Sequence, residues 1–129
     1  ATALYLLKSL TEDHIMGEGE QMLPCCGFFL CADEMGENVD IVGCDKGVDW
    51  TVLHEPGQVR IITGSGRETV VPIAEYAREV CRFADDVAAF YAACSPKTEP
   101  GDEFDARGWA AFKREWRRRR TEAKSLFEA

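Results

Sequence analysis

From Pro72 to Cys94, apolar residues recur at steps of three and four without a break: Ile73, Tyr76, Ala77, Val80, Phe83, Ala84, Val87, Phe90, Tyr91 and Cys94. That spacing holds one apolar face along an α-helix, and Glu75, Arg78, Glu79, Arg82, Asp85 and Asp86 fill the other face. Pro72 suits the first helical position, where a missing N–H costs nothing. The stripe predicts a single helix over residues 73–93, with Tyr76, Val80, Phe83, Val87 and Phe90 inside the core. A helix with so broad an apolar face has to lie on other elements, which the rest of the chain must supply.

The segment before it reads as strands. "GFFLCA" and "VDIVGC" flank the turn chemistry of "EMGEN" and form a hairpin. A turn centred near Met35–Gly36 sets Cys26 opposite Cys44. "VDWTVLHE" alternates, with Val48, Trp50, Val52 and His54 on one face, and "PGQ" is a turn. "VRIIT" and "ETVVPI" are two further strands joined by "GSGR". The expectation is an antiparallel meander of four or five strands over residues 26–72.

Two segments flank this core pattern. In residues 1–22, "ALYLLKSL" suits a strand or a short helix, and "TEDHIMGEGEQ" reads as loop. Beyond Cys94, "SPKTEPGD" is loop, and Asp102 or Asp105 can cap a second long helix. Its inward residues are expected to be Trp109, Phe112, Trp116, Ala123 and Leu126. Arg119 and Arg120 fall on or beside that stripe, so the last third of the helix is expected to project from the body.

The fold class expected is therefore α+β: an antiparallel meander followed by two long helices, at least one packed on the sheet. A chain of 129 residues is one domain's worth. Its parts are an unassigned segment 1–22, sheet 23–72, helix 73–94, loop 95–104 and basic helix 105–127.

The net charge of −8 argues against non-specific binding to nucleic acid or an anionic membrane. It hides a split. Residues 1–106 carry 7 Lys/Arg against 20 Asp/Glu, and residues 107–129 carry 8 against 3. No apolar run approaches the roughly 20 residues that span a bilayer. "ATALYLLKSLTEDH" lacks a basic n-region and an apolar h-region, so it is not read as an intact signal peptide, and a cytoplasmic location is the default.

Four of the six cysteines lie in "LPCCGFFLCADEMGENVDIVGC". The favoured reading makes the thiols small buried hydrophobes, Cys81 and Cys94 included. The alternative is a metal site from Cys25, Cys26 and Cys44 completed by His54 or His14, although no pair of CxxC motifs supports it. A Cys26–Cys44 redox pair comes third, since a reducing cytoplasm disfavours it. Nucleophilic catalysis needs a base, and His14 and His54 are the two available histidines. No carboxylate pair is singled out among 23 acids. "TGSGRET" lacks phosphate-loop spacing and is a hairpin turn.

The run "KREWRRRR" is the other sharp feature. Four successive arginines wrap most of a helix, so some must approach its inner side. They are expected to pair with acids such as Asp85, Asp86 and Glu79, at least two of the five arginines meeting carboxylates. Arg and Trp are also enriched at binding hot spots, which makes Arg114, Trp116, Arg117, Arg118, Arg119 and Arg120 the interface candidates. The function expected is a small intracellular, non-catalytic protein-interaction module, of accessory, inhibitor or immunity type, or one that self-associates. It needs no cofactor and engages no membrane. The alternative is a metal- or thiol-dependent site in the 25–44 hairpin, and the third reading is nucleic-acid binding by the C-terminal helix.

Overall fold

In the computed structural model, residues 1–25, 29–94 and 101–128 are described. The fold is α+β. In chain order the described elements are α1 (Thr2–Lys8), β1 (Phe29–Ala32), β2 (Val39–Val42), β3 (Thr51–Glu55), β4 (Gln58–Ile62), β5 (Glu68–Pro72), α2 (Ile73–Ala93) and α3 (Glu103–Glu128).

The meander is cut in two. β1 and β2 form one antiparallel hairpin, and β3, β4 and β5 form a separate three-stranded antiparallel sheet. The hairpin register pairs Phe29 with Val42 and Ala32 with Val39. That is one residue from the expected register; Cys26 itself lies outside the described residues. Between the sheets the chain turns through residues 43–50, where Val48 bridges back to Leu23. Of the residues expected on one face of this strand, Val52 is fully buried and His54 exposed within β3, while Val48 (exposed) and Trp50 (half-buried) precede it. The Pro56–Gly57 and 63–67 turns fall as expected, with φ of +75° at Gly57 and +87° at Gly66, a region glycine adopts without a Cβ penalty.

The unassigned N-terminal segment is helical and central. Leu4 and Leu7 of α1 are buried, and the Tyr5 hydroxyl both donates to Ile41 O and accepts from Ile41 N, each at 3.0 Å. After α1 the chain runs along the free edge of β3, where His14 and Val52 exchange backbone hydrogen bonds of 2.9 and 2.7 Å. Covering that edge removes a template for pairing with another chain.

Helix α2 has its predicted limits, with Pro72 as the extended residue just before it and the last of β5. Its buried seam is Tyr76, Ala77, Val80, Cys81 and Ala84. The expectation that Phe83, Val87 and Phe90 lie in the core is corrected: Phe83 is 42% exposed, Phe90 73%, and Val87 half-buried. Small side chains let the neighbouring helices approach, so the close seam turns toward Ala77, Cys81 and Ala84. The two phenylalanines are left on its flank.

Helix α3 is capped by Asp102, whose Oδ1 accepts the Asp105 N–H at 3.1 Å. It too packs through small residues. Gly108, Ala111 and Ala123 are buried, together with Glu115 and Arg119. A Cβ at Gly108 would stand 2.0 Å from the Leu30 carbonyl oxygen, so glycine lets α3 cross β1 in backbone contact. The helix does not project at its end: Arg119 and Ala123 are buried and Leu126 packs against the core. One core cluster draws on all three helices and on β2, β3 and β4.

Candidate functional site

The same rotation of α3 that buries Gly108, Ala111 and Ala123 puts its aromatic residues at the margin of the core. Trp109, Phe112 and Trp116 are half-buried and line an open apolar groove of about 400 Å³. Val87, Ala88 and Tyr91 of α2 form one wall, and Ala3 and Leu4 of α1 close one end. The three α3 rings make a ladder. Trp109 and Phe112 stand 5.5 Å apart at 9°, and Phe112 and Trp116 stand 6.1 Å apart at 11°. Tyr91 meets Trp109 across the groove at 6.0 Å and 53°. Such pairs stabilise by about 0.5–1.5 kcal/mol beyond area burial, which fixes the groove's shape.

A basic stripe borders the ladder. Lys113, Arg117, Arg120 and Lys124 follow at steps of four, three and four, which keeps them on one side of α3. Lys113 Nζ lies 5.5 Å from the Trp109 ring centre, and the Arg120 guanidinium lies 5.5 Å from that of Trp116. Arg117 and Lys124 are exposed.

Four arginines of α3, Arg120 of the stripe among them, serve the fold. Arg114 Nη1 donates to Gly36 O at 3.0 Å, and Arg118 holds Glu37 O at 3.0 Å and the Asn38 side chain, so together they grip the β1–β2 turn. Arg118 also reaches the Glu37 carboxylate at 3.9 Å, Arg119 meets Glu115 at 2.6 Å and Glu12 at 3.1 Å, and Arg120 meets Asp85. Arg119 is buried, so it presents no surface to a partner. Of the interface candidates, Trp116 lines the groove, Arg120 lies against Trp116 while paired with Asp85, Arg117 is exposed on the same side of α3, and Arg114 and Arg118 bind the turn instead. Val87, Tyr91 and Leu4 join Trp116 from two other helices, a neighbourhood that no local pattern in the sequence marks.

The cysteine hairpin assembles no ligand set among the described residues. Cys25 is exposed, Cys44 half-buried, and Cys26 outside the described residues. His54 is directed elsewhere: its Nε2 lies 2.7 Å from Ser9 O, and since a carbonyl only accepts, that nitrogen carries the proton. Cys81 is buried in the α2 seam, whereas Cys94 is exposed, against expectation.

A second concavity, of about 340 Å³, is polar and is lined by Glu12, Asp13, Glu18, Glu20, Asp40 and His14, among others. His14 Nε2 lies 2.6 Å from Asp49 Oδ1, which also accepts the N–H groups of Met22 and Trp50 at 3.0 Å. Burial opposes ionisation of Asp49, but these three donors outweigh it and hold the carboxyl below its ordinary range. Ser9, also in this cleft, spends its hydroxyl on Leu6 O and the Tyr76 hydroxyl. The His14–Asp49 pair thus straps the 14–22 segment to the start of β3.

No protein-family model, curated protein or solved structure matches the chain. Among the described residues, no helix is long and apolar enough to cross a membrane.

Proposed function

We propose that this chain is a small intracellular, non-catalytic protein-interaction module whose α1–α2–α3 groove receives an amphipathic segment bearing apolar and acidic side chains. The observation that carries the reading is the half-exposed ladder Trp109–Phe112–Trp116 beside the stripe Lys113, Arg117, Arg120 and Lys124. Aromatic anchors in a pre-formed groove supply affinity, and the cations select the sign of the ligand's charge. Nucleic-acid binding fits less well. Phe112, one turn before Trp116, and Arg120, one turn after it, both lie against that indole, which is thereby already engaged by its own helix.

The test uses two helix-forming peptides, one with leucines and phenylalanines backed by glutamates and the other with lysines in their place. Tryptophan fluorescence should respond to the acidic peptide alone, and Trp116→Ala with Lys113→Glu should weaken binding at least about tenfold, or about 1.4 kcal/mol. Equal binding of both peptides, or unchanged binding by a folded double variant, would remove the proposal.

A further inference from the structure

The groove has a counterpart on the same molecule. Phe83 and Phe90 are exposed on α2, and Glu79 and Asp86 are exposed beside them. Residues 79, 83, 86 and 90 follow at steps of four, three and four, the spacing of the basic stripe 113, 117, 120 and 124 on α3. Arg82 stands between Glu79 and Asp86 on that face, so this phenylalanine-bearing ridge carries two acids to one base, at the step pattern of a basic, aromatic-lined groove. We infer that the groove's occupant is a second copy of this chain, the α2 ridge of each protomer lying in the other's groove.

Position favours the pairing as well as charge. Val87 forms part of the groove wall and stands between Phe83 and Phe90 on α2, one helical turn from each. Ridge and groove therefore share an edge. A two-fold axis passing beside α2 brings each ridge to the other groove in one closed, isologous contact. Each ridge offers two aromatic knobs to an apolar floor, and sets Glu79 and Asp86 near Lys113 and Arg117. Two large exposed phenylalanines beside an open apolar groove are costly on a lone protomer and ordinary at an interface.

This inference rests on the docking reading above, and its test separates the two. Sedimentation velocity of the full chain should show a concentration-dependent monomer–dimer equilibrium that shifts toward monomer as salt rises. Glu79→Lys with Asp86→Lys, and separately Lys113→Glu with Arg117→Glu, should each weaken dimerisation at least about tenfold. Mixing the two variants should restore a dimer, because one contact then carries both reversals and the other carries neither. Phe90→Ser should weaken self-association without a charge change, and circular dichroism would verify that each variant is folded. A wild type that stays monomeric while the acidic peptide still binds would overturn the second copy and leave the docking reading intact. A dimer that survives both charge reversals, or a mixture that stays monomeric, would also overturn it. A monomer that binds neither peptide would overturn both.

Discussion

Glu115, near the middle of α3, accepts the backbone N–H of Val39 at 2.8 Å across 76 residues of sequence. Its other oxygen takes Arg119 Nε at 2.6 Å, and the Glu115 side chain is 2% exposed. A buried ion pair is not strongly stabilising in itself, but removing one partner strands the other. Glu115→Ala should therefore cost about 3–5 kcal/mol in chemical denaturation. Glu115→Leu combined with Arg119→Met should cost less, about 1–3 kcal/mol, for the Val39 N–H left without an acceptor. A double variant less stable than Glu115→Ala would contradict this account.

Gly108→Ala sets two effects of opposite sign against each other. Alanine favours a helix interior by about 1 kcal/mol. Its Cβ, however, would meet the Leu30 carbonyl oxygen at 2.0 Å, and backbone cannot swing aside as a side-chain tip can. The clash should win by at least about 2 kcal/mol, read as a lowered denaturation midpoint. A midpoint equal to wild type would mean that α3 crosses β1 less closely than described.

Exposure separates residues that look alike in the sequence. Leu4 is 1% exposed, and Leu4→Ala should cost about 2–5 kcal/mol. Phe90 is 73% exposed, and in dilute solution Phe90→Ser should fall within about 0.5 kcal/mol of wild type. A large loss for Phe90→Ser would place that ring back in the core.

Burial raises the Tyr5 phenol well above its ordinary range, against the lowering effect of its bond to Ile41. A phenol raised on folding contributes stability that is fully present below its unfolded pKa of about 10, and this is lost as pH rises toward the folded value. Alkaline unfolding should thus be accompanied by Tyr5 ionisation, and Tyr5→Phe should remove that component. At neutral pH the same variant should cost about 1–3 kcal/mol, since both polar groups of Ile41 lose a buried partner. Phenolate absorbance followed together with circular dichroism tests both statements.

Asp49 has the opposite sign. A carboxyl lowered on folding contributes stability present above its unfolded pKa of about 3.9, lost as pH falls through the lower folded value. The wild type should lose stability in that acid window, and Asp49→Ala should show a shallower acid dependence. At neutral pH Asp49→Ala should cost about 3 kcal/mol, because Met22 and Trp50 lose their acceptor. Denaturant midpoints measured across the acid range would show the two curves converging.

Much of the fold was legible because local chemistry and tertiary packing agree. The α2 limits, the Pro56–Gly57 turn and the existence of the β1–β2 hairpin follow from periodicity and turn residues, while its register lies one residue from the one they suggest. Other features depend on which elements meet. The apolar face of α2 was wide enough to pack at several angles, and small residues on facing helices chose the angle that excludes Phe83 and Phe90. The break between the sheets lies where "GCDKGVDW" turns back to pair with Leu23, a long-range contact with no local signature. In "KREWRRRR" nothing local distinguishes Glu115, the buried carboxylate that joins α3 to Val39 and Arg119. The groove was legible only as its tryptophans and arginines, since Val87, Tyr91 and Leu4 come from elsewhere in the chain.

The late position of α3 has a consequence for synthesis. Ala111, Glu115 and Ala123 close the core over α1 and the first hairpin, so a nascent chain that has emerged only through α2 still lacks that cover. Leu4, Leu7 and Ile41, which precede α3 in the chain, stay incompletely shielded until α3 leaves the ribosome. A message cut short or a ribosome stalled after α2 would release a chain with those side chains exposed, a form open to aggregation and proteolysis.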